Sequence, residues 1–565
     1  MWNILLVFTI IFKITTSIVI ELPKGKIEGL TNTTRNGTTY HSFLALRYAQ
    51  PPIGKLRFKP PVPVEPWIDT YDGRAEKFIC YQVKRDSYKE NEDCLFLNVF
   101  TPVDLNSSFT ANRTVMVWIH GGGFIAGAGY MIEGGAGPKF FMDQGIVLVS
   151  INYRLGPFGF LSTGDIVMPG NAGLKDQVLA LKWVQDNIAY FGGDPDKVTI
   201  FGQSAGSASV SYQLLSPLSK GLYRGAILES GSALSPWAYQ RNETEITFMT
   251  AQLINSSFTS RNTTEVLQFL QSASAIDIDN ASFVVSASFD NPATAQISKG
   301  FVYAPVIEVP HEEAFLTEKQ WGLFESGRYN KVPIFIGMNS EESMTLMHAN
   351  STETWDAYDN NPSIMVPYDL HINNTDIKKS IGWEIWNQFT DGEGFNNDLV
   401  KGIRYHSVHD FDKASIKQAE LMSNHSDVYF YQFSYSGLMG YFGYRLAGCG
   451  NVSHAEELYY LFSKWYSNDI PDNTDMSYFP EADQKVHFRI MALWTNFAKY
   501  LNPTPPFVDV DLLQNVTWEL VKPNEFRYLD IGKDLIMMTG YPKEKKYLFW
   551  DTLYKKYAVP PLDTF

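Results

Sequence analysis

Cysteine is scarce in this sequence. The chain has three in 565 residues, at positions 80, 94 and 449, too few for a small disulfide scaffold. A basic excess is also lacking. Lys and Arg number 46 against 61 Asp and Glu, giving a net charge of −15, which argues against a nucleic-acid partner and fits a solvated, soluble surface. Beyond the N-terminus no apolar run is long enough to span a membrane, so no membrane span is expected. The final stretch, KYAVPPLDTF, lacks the hydrophobic tail that precedes a lipid-anchor signal. No internal repeat or low-complexity tract stands out. What remains is 45% hydrophobic, 19% charged and 15% aromatic, a composition that suits one large, well-buried globule with aromatic-lined pockets.

The N-terminal run MWNILLVFTIIF is too short to cross a bilayer, and small residues, Thr15 to Ser17, follow it. Residues 1–17 are therefore expected to be a secretory signal peptide and 18–565 a single domain. Secretion agrees with Asn-x-Ser/Thr sequons at Asn32, Asn36, Asn106, Asn112, Asn242, Asn255, Asn262, Asn280, Asn350, Asn373, Asn424, Asn451 and Asn515, which mark an extracellular N-glycosylated protein. In an oxidising compartment Cys80 and Cys94 are close enough to pair, worth about 3 kcal/mol for a loop of that size. Cys449 is then a free thiol, read as a small buried hydrophobe.

The stretch VTIFGQSAGS at 198–207 is a β-type run that breaks at Gly202 and passes into a helix-forming run. Ser204 stands between Gly202 and Gly206, the G-x-S-x-G pattern in the strand–turn–helix setting that exposes a serine hydroxyl. The glycines admit a tight turn, and the helix start offers backbone N–H groups to developing negative charge. Upstream, VMVWI at 115–119 reads as a central strand running into HGGGF at 120–124. Successive glycines at the end of a buried strand leave N–H groups free to hold an oxyanion.

Further strands are expected at LFLNVF (95–100), IVLVSI (146–151), GAILE (225–229), VPIFIGM (332–338) and DVYFYQF (427–433). Between them, Leu174, Val178, Leu181, Val184 and Ile188 recur at helical spacing. The alternation predicts a large, mostly parallel sheet with helices on both faces and ligands at the strands' carboxyl ends. Residues up to about 70 read as turns and proline-stiffened extended chain. Residues 240–330 read as cap insertions with helical pieces such as TEVLQFL at 264–270. The helix around IMALWTNFAKY (490–500) reads as closing the main body.

A serine nucleophile needs a base, and the base an acid; in this arrangement they follow the serine in the order acid, then histidine. Glu341 and Glu342 both follow the 332–338 strand, and position alone does not separate them. Among late histidines His454, in GNVSHAEELYYLF, sits between a turn and an apolar helix; His406, His409, His425 and His487 are less well framed.

With these motifs in hand, the sequence resembles the type-B carboxylesterase and cholinesterase family over essentially all of its length after the leader. The matching runs include RF at 57–58, EDCLFLNV at 92–99, HGGGF at 120–124, NYR at 152–154 and GNAGLKDQ at 170–177. FGGDP at 191–195, FGQSAGSAS at 201–209, ESGS at 229–232, VPIFIG at 332–337 and SHAEEL at 453–458 continue the series. The resemblance implies an α/β-hydrolase fold, with Ser204 as nucleophile, Glu342 rather than Glu341 as acid, and His454 as base. It implies oxyanion donors at the N–H groups of Gly122, Gly123 and Ala205, the Cys80–Cys94 disulfide, and ion pairs Arg57–Glu92 and Arg154–Asp176. Ser343 and Asn451 stand where the family has glycine, and the family's second disulfide is missing. The 80–94 loop has no tryptophan and is short, which excludes a cholinesterase.

The expectation is a secreted serine carboxylic ester hydrolase acting on neutral or apolar small-molecule esters, without cofactor or metal. Gln203 in GQSAG resembles juvenile hormone esterases of insects, the alternative reading; Lys220 and Arg224 meet those enzymes' basic pattern only in part. A catalytically inactive, neuroligin-like adhesion protein is the other alternative. Trp237 and Phe124 are nominated to the pocket wall. Oligomeric state is not legible.

Overall fold

The apolar run at 198–201 lies in a longer strand, Gly193–Gln203, in the middle of a thirteen-stranded sheet in the computed structural model of the chain. The structure describes residues 16–83, 89–130, 136–289, 300–346, 351–440, 445–450, 452–463 and 472–565. The expected leader therefore falls almost wholly outside the described residues, as do the sequons at Asn350 and Asn451. In chain order the strands are β1 (Ser17–Leu22), β2 (Gly25–Thr33), β3 (Thr39–Arg47), β4 (Tyr71–Asp72), β5 (Phe96–Thr101), β6 (Arg113–Ile119) and β7 (Val147–Ile151). Then follow β8 (Gly193–Gln203), β9 (Gly225–Glu229), β10 (Ile334–Asn339), β11 (Val428–Phe433), β12 (Arg527–Ile531) and β13 (Leu535–Thr539).

Their order across the sheet is β1-β2-β3-β5-β7-β6-β8-β9-β10-β11-β12-β13, with β4 beside β2. From β7 to β12 all neighbours run parallel. The path β1-β2-β3-β5-β7 and the β12–β13 pair are antiparallel, while the short β4 lies parallel to β2. This is the α/β-hydrolase arrangement expected from the sequence. The parallel strands are apolar almost throughout because both faces are covered. Val115, Val117 and Ile119 point into one core and Met116 and Trp118 into the other, the two-residue period of a strand. Leu174 and Leu181 of the helix Ala172–Asn187 join the first core. Trp494 and Phe497 of the helix Glu481–Tyr500 join the second, with the Trp118 and Phe201 rings 4.9 Å apart beneath them.

The structure departs from expectation at both ends. The segment read as turns supplies β1, β2 and β3. In β1 and β2 the alternation is diluted because one face meets solvent and carries polar residues, as in GKIEGLTNT; β3 is buried nearly throughout but mixes polar residues with apolar ones. The helix Glu481–Tyr500 does not close the body either. After it come β12, β13 and the helix Glu544–Tyr557, whose Trp550 and Tyr554 are buried. In the cap, helices run over Glu243–Ile254, Thr263–Ser272 and Ala275–Phe289, more regular than the sequence suggested. No helix among the described residues is long and apolar enough to cross a membrane.

Candidate active site

Parallel register brings the ends of the central strands to one height. Ile119 of β6 pairs with Gly202 of β8, Gln203 with Glu229 of β9, and Glu229 with Gly337 of β10. The loops that leave these ends carry the candidate residues.

Ser204 follows β8 directly and starts the helix Ala205–Leu215. Its backbone sits at φ 60°, ψ −126°, a region costly for a residue with a Cβ, by about 1–3 kcal/mol. Two hydrogen bonds hold it there, Ser204 N–H to Glu229 O at 2.8 Å and Ala208 N–H to Ser204 O at 2.9 Å. The flanking glycines are required by close approach: a Cβ on Gly206 would stand 2.0 Å from Ile119 O, and one on Gly202 2.6 Å from the Gly206 backbone.

The HGGGF loop packs beside the elbow. A Cβ on Gly121 would meet Ser204 Cβ at 3.0 Å. Gly122 holds φ at 104° and accepts the N–H groups of Ile125 and Ala126, at 3.1 and 2.9 Å, in a tight turn. Among the described residues the N–H groups of Gly122, Gly123 and Ala205 donate to no protein acceptor, as ligand-facing donors must. His120, read from sequence only as part of the motif, anchors this loop. Its Nδ1 lies 2.8 Å from Gly121 O, its ring stacks on Tyr153 at 4.4 Å, and Tyr153 Oη donates to His120 O at 2.9 Å. Burial pushes its imidazole down to about 4, so it is neutral.

The two glutamates separate cleanly. Glu342 Oε2 lies 2.7 Å from His454 Nδ1, while Glu342 Oε1 accepts the Asn339 N–H at 2.6 Å. Glu341 turns the other way, its Oε2 accepting the Gly450 N–H at 2.7 Å. Adjacent loop glutamates are usually solvated, but both are buried here, and both hold the histidine loop. With His454 Nδ1 donating to Glu342, Nε2 carries the lone pair that a base needs. Among the described residues Ser204 Oγ makes no hydrogen bond to His454; the partner at Nε2 is the Gln203 side-chain amide, 3.1 Å away. His406 and His409 lie elsewhere, both on Asp410 at 2.8 and 2.7 Å. His487 is bonded to Tyr460 O, and His425 to Glu325 O.

Behind the acid lies a buried carboxyl layer that sequence reasoning did not find. Glu229 accepts Trp494 Nε1–H at 2.7 Å, and burial pushes its carboxyl up to about 8. Glu457, three residues after His454, accepts the Asn339 amide and is raised for the same reason. The ESGS and SHAEE motifs were visible in the sequence, but their depth was not.

An aromatic cluster packs against the histidine. Trp237 lies 6.3 Å from Phe124, 5.5 Å from Phe301 and 5.8 Å from Phe411, whose ring is 4.6 Å from His454. Trp237 Nε1–H donates to Asp410 O at 2.7 Å, fixing the indole. Phe301 comes from the cap and Phe411 from a π-helical turn at Ser407–Asp412, so neither had a local signal.

Away from the centre, Cys80 and Cys94 are joined. Arg57 grips Glu92 at 2.6 and 2.7 Å, and Arg154 grips Asp176 at 2.7 and 2.6 Å. Arg224 caps the helix Glu481–Tyr500 through the Ala498 and Lys499 carbonyls, and Lys220 is exposed. Cys449 is half-buried, not fully as expected, and its burial pushes the thiol up to about 11. Asn451 lies outside the described residues.

The Carboxylesterase family profile matches residues 16–550. Venom carboxylesterase-6 of Apis mellifera is 33% identical over 530 residues, 90% of this chain and 89% of that protein. The juvenile hormone esterase of Tribolium castaneum is 32% identical over 570 residues, covering 93% of this chain and 90% of that protein. Among solved structures, the juvenile hormone esterase of Manduca sexta, with OTFP covalently attached, superposes with a TM-score of 0.81. It is 27% identical and covers 96% of this chain and 100% of its own.

Proposed function

Because this chain belongs to the carboxylesterase family and is a carboxylic ester hydrolase, we propose that it works through an acyl-enzyme on Ser204. The observation that carries this reading is the 2.7 Å contact between Glu342 and His454 beside the strained Ser204 elbow. His454 Nε2 takes the Ser204 proton as Oγ attacks the ester carbonyl. Glu342 holds the Nδ1 proton, fixing the tautomer, and favours the imidazolium that forms. The Gly122, Gly123 and Ala205 N–H groups receive the oxyanion. The alcohol leaves with the proton from His454; water, deprotonated by His454, then releases the acid and restores Ser204. The covalently attached OTFP of the Manduca relative supports a covalent route in this family.

The wall of Phe124, Trp237, Phe301 and Phe411 supports neutral or apolar esters, since it offers area and no countercharge. A juvenile hormone as substrate is the second reading, favoured by Gln203 in the GQSAG turn and by the Tribolium and Manduca relatives. The inactive adhesion reading has no such support, because Ser204, Glu342 and His454 are all present, with Glu342 in contact with His454. Secretion with a cleaved leader and N-glycans is part of the proposal; in the described sequons every asparagine except Asn32 is exposed.

The test is hydrolysis of a short p-nitrophenyl ester by the secreted protein and by Ser204→Ala. Turnover lost in the variant, with fluorophosphonate labelling at Ser204 in the wild type, is the expected result. A folded wild type with neither turnover nor labelling would overturn the reading. A substrate panel including a juvenile hormone then separates the two substrate readings.

A further inference from the structure

The hydrogen bond at the base nitrogen of His454 comes from Gln203, not from the nucleophile, and its direction is fixed. His454 Nδ1 faces the Glu342 carboxylate at 2.7 Å and so carries the proton. Nε2 is then an acceptor, and the Gln203 group 3.1 Å from it must be the amide N–H. The carbonyl end of the amide, Oε1, lies on the Gly121 side, 3.2 Å from where a Cβ there would be. Gln203 is almost fully buried, and its backbone is locked in β8 opposite Glu229.

We propose that Gln203 is a positioning residue for the esterase reaction: its amide donates to the neutral imidazole of His454, keeping the base unprotonated and its base nitrogen aimed beside Ser204 until substrate enters. This rests on the serine–histidine mechanism given above. A protonated imidazole would set its own Nε2–H against the amide N–H, so the contact disfavours the imidazolium at rest. A carboxylate at this position would do the opposite, accepting from Nε2–H and adding a negative charge beside it. The amide therefore favours the neutral base, where a glutamate would favour the protonated one.

The charged groups around His454 act on every variant alike. Glu342 and Glu341 come from the loop after β10, and Glu456 and Glu457 from the histidine's own loop. The turn carrying Phe411 brings Asp410 with His406 and His409, and Asp412 paired with Lys543 at 2.6 Å. Glu229 stands on the neighbouring strand.

The experiment is the pH profile of kcat/KM for a p-nitrophenyl ester between pH 5 and 9, with wild type, Gln203→Glu and Gln203→Met in the same buffers. Each profile is normalised to its own plateau, so the folded fraction cancels. In Gln203→Glu the acid limb moves up by about one pH unit, an opposite charge at this range having that effect, and normalised activity at pH 6 falls about tenfold further. Gln203→Met removes a bond to the neutral form and moves the limb the same way by a smaller step. It decides the matter alone if the glutamate variant does not fold. Limbs superposable on wild type, with only a uniform loss of rate, mean that Gln203 is packing and overturn the inference. A wild type without turnover sinks the mechanism beneath it, an outcome distinct from an active wild type whose variants keep their limb.

Discussion

Glu342 grips His454 at two points: its carboxylate takes the imidazole Nδ1–H at 2.7 Å, and its backbone carbonyl takes the His454 N–H at 3.1 Å. Main chain and side chain of the base are thus set by one residue on the strand-end loop after β10. Glu341, its neighbour, holds the same loop one turn earlier through Gly450.

This division of labour separates the two glutamates experimentally. Glu342→Gln keeps the shape but loses the charge that favours the imidazolium, and kcat falls by about 10⁴-fold. Glu341→Gln keeps an acceptor for Gly450 and costs about 1 kcal/mol of stability with kcat within tenfold. Steady-state kinetics and thermal unfolding on both variants check this. Equal kinetic losses would contradict it.

Ser204→Ala removes the nucleophile but no fold contact of note, since the elbow is held by backbone bonds. Turnover drops by about 10⁶-fold, the scale seen when a serine hydrolase loses its nucleophile, with an unchanged circular dichroism spectrum. A variant retaining a tenth of the activity rules Ser204 out as nucleophile.

Gly122→Ala places a Cβ 2.1 Å from Ala126 O on a backbone with φ at 104°, so the loop must move. Its N–H then loses aim at the oxyanion. The expected result is a loss of about 10²–10³ in kcat with KM little changed. A loss confined to KM is incompatible with an oxyanion role.

Glu229 makes stability depend on pH. Burial holds its carboxyl at about 8, against 4.5 for an ordinary glutamate. Between those values the folded chain keeps a proton that the unfolded chain has released. This contribution is whole below 4.5 and is lost as pH rises through 8. Glu229→Gln, neutral at every pH, therefore gains in melting temperature over wild type from pH 5 to pH 8. A constant difference between the two across that range would show that Glu229 does not titrate in this way.

Much of this was legible in the sequence because the central strands are buried on both faces and the turns need glycine. VMVWI, VTIF and GAILE each fall in the observed strands, and the motifs at their ends converge. What was hidden depends on distant packing. Glu341 and Glu342 are equivalent by position, and only the resemblance, then the geometry, distinguishes them. Phe301 and Phe411 reach the wall from segments without periodic signal, and Gln203 looks like a strand terminus until His454 is folded against it. β1 and β2 were missed because polar residues on an exposed face blur the alternation, and β3 because it buries polar residues, His41 and Ser42, among its apolar ones.

The shared height of the strand ends constrains how such a chain can change length. Ile119, Gly202, Leu228 and Ile336 lie in register across β6, β8, β9 and β10. Adding or deleting one residue inside any of these strands shifts its end by about 3.3 Å and turns its side chains to the opposite face. Ser204 would then part from the glycine loop, or Glu342 from His454. Insertions are therefore tolerated only beyond the strand ends, in segments such as 240–330, where chain can be added without disturbing the reacting groups.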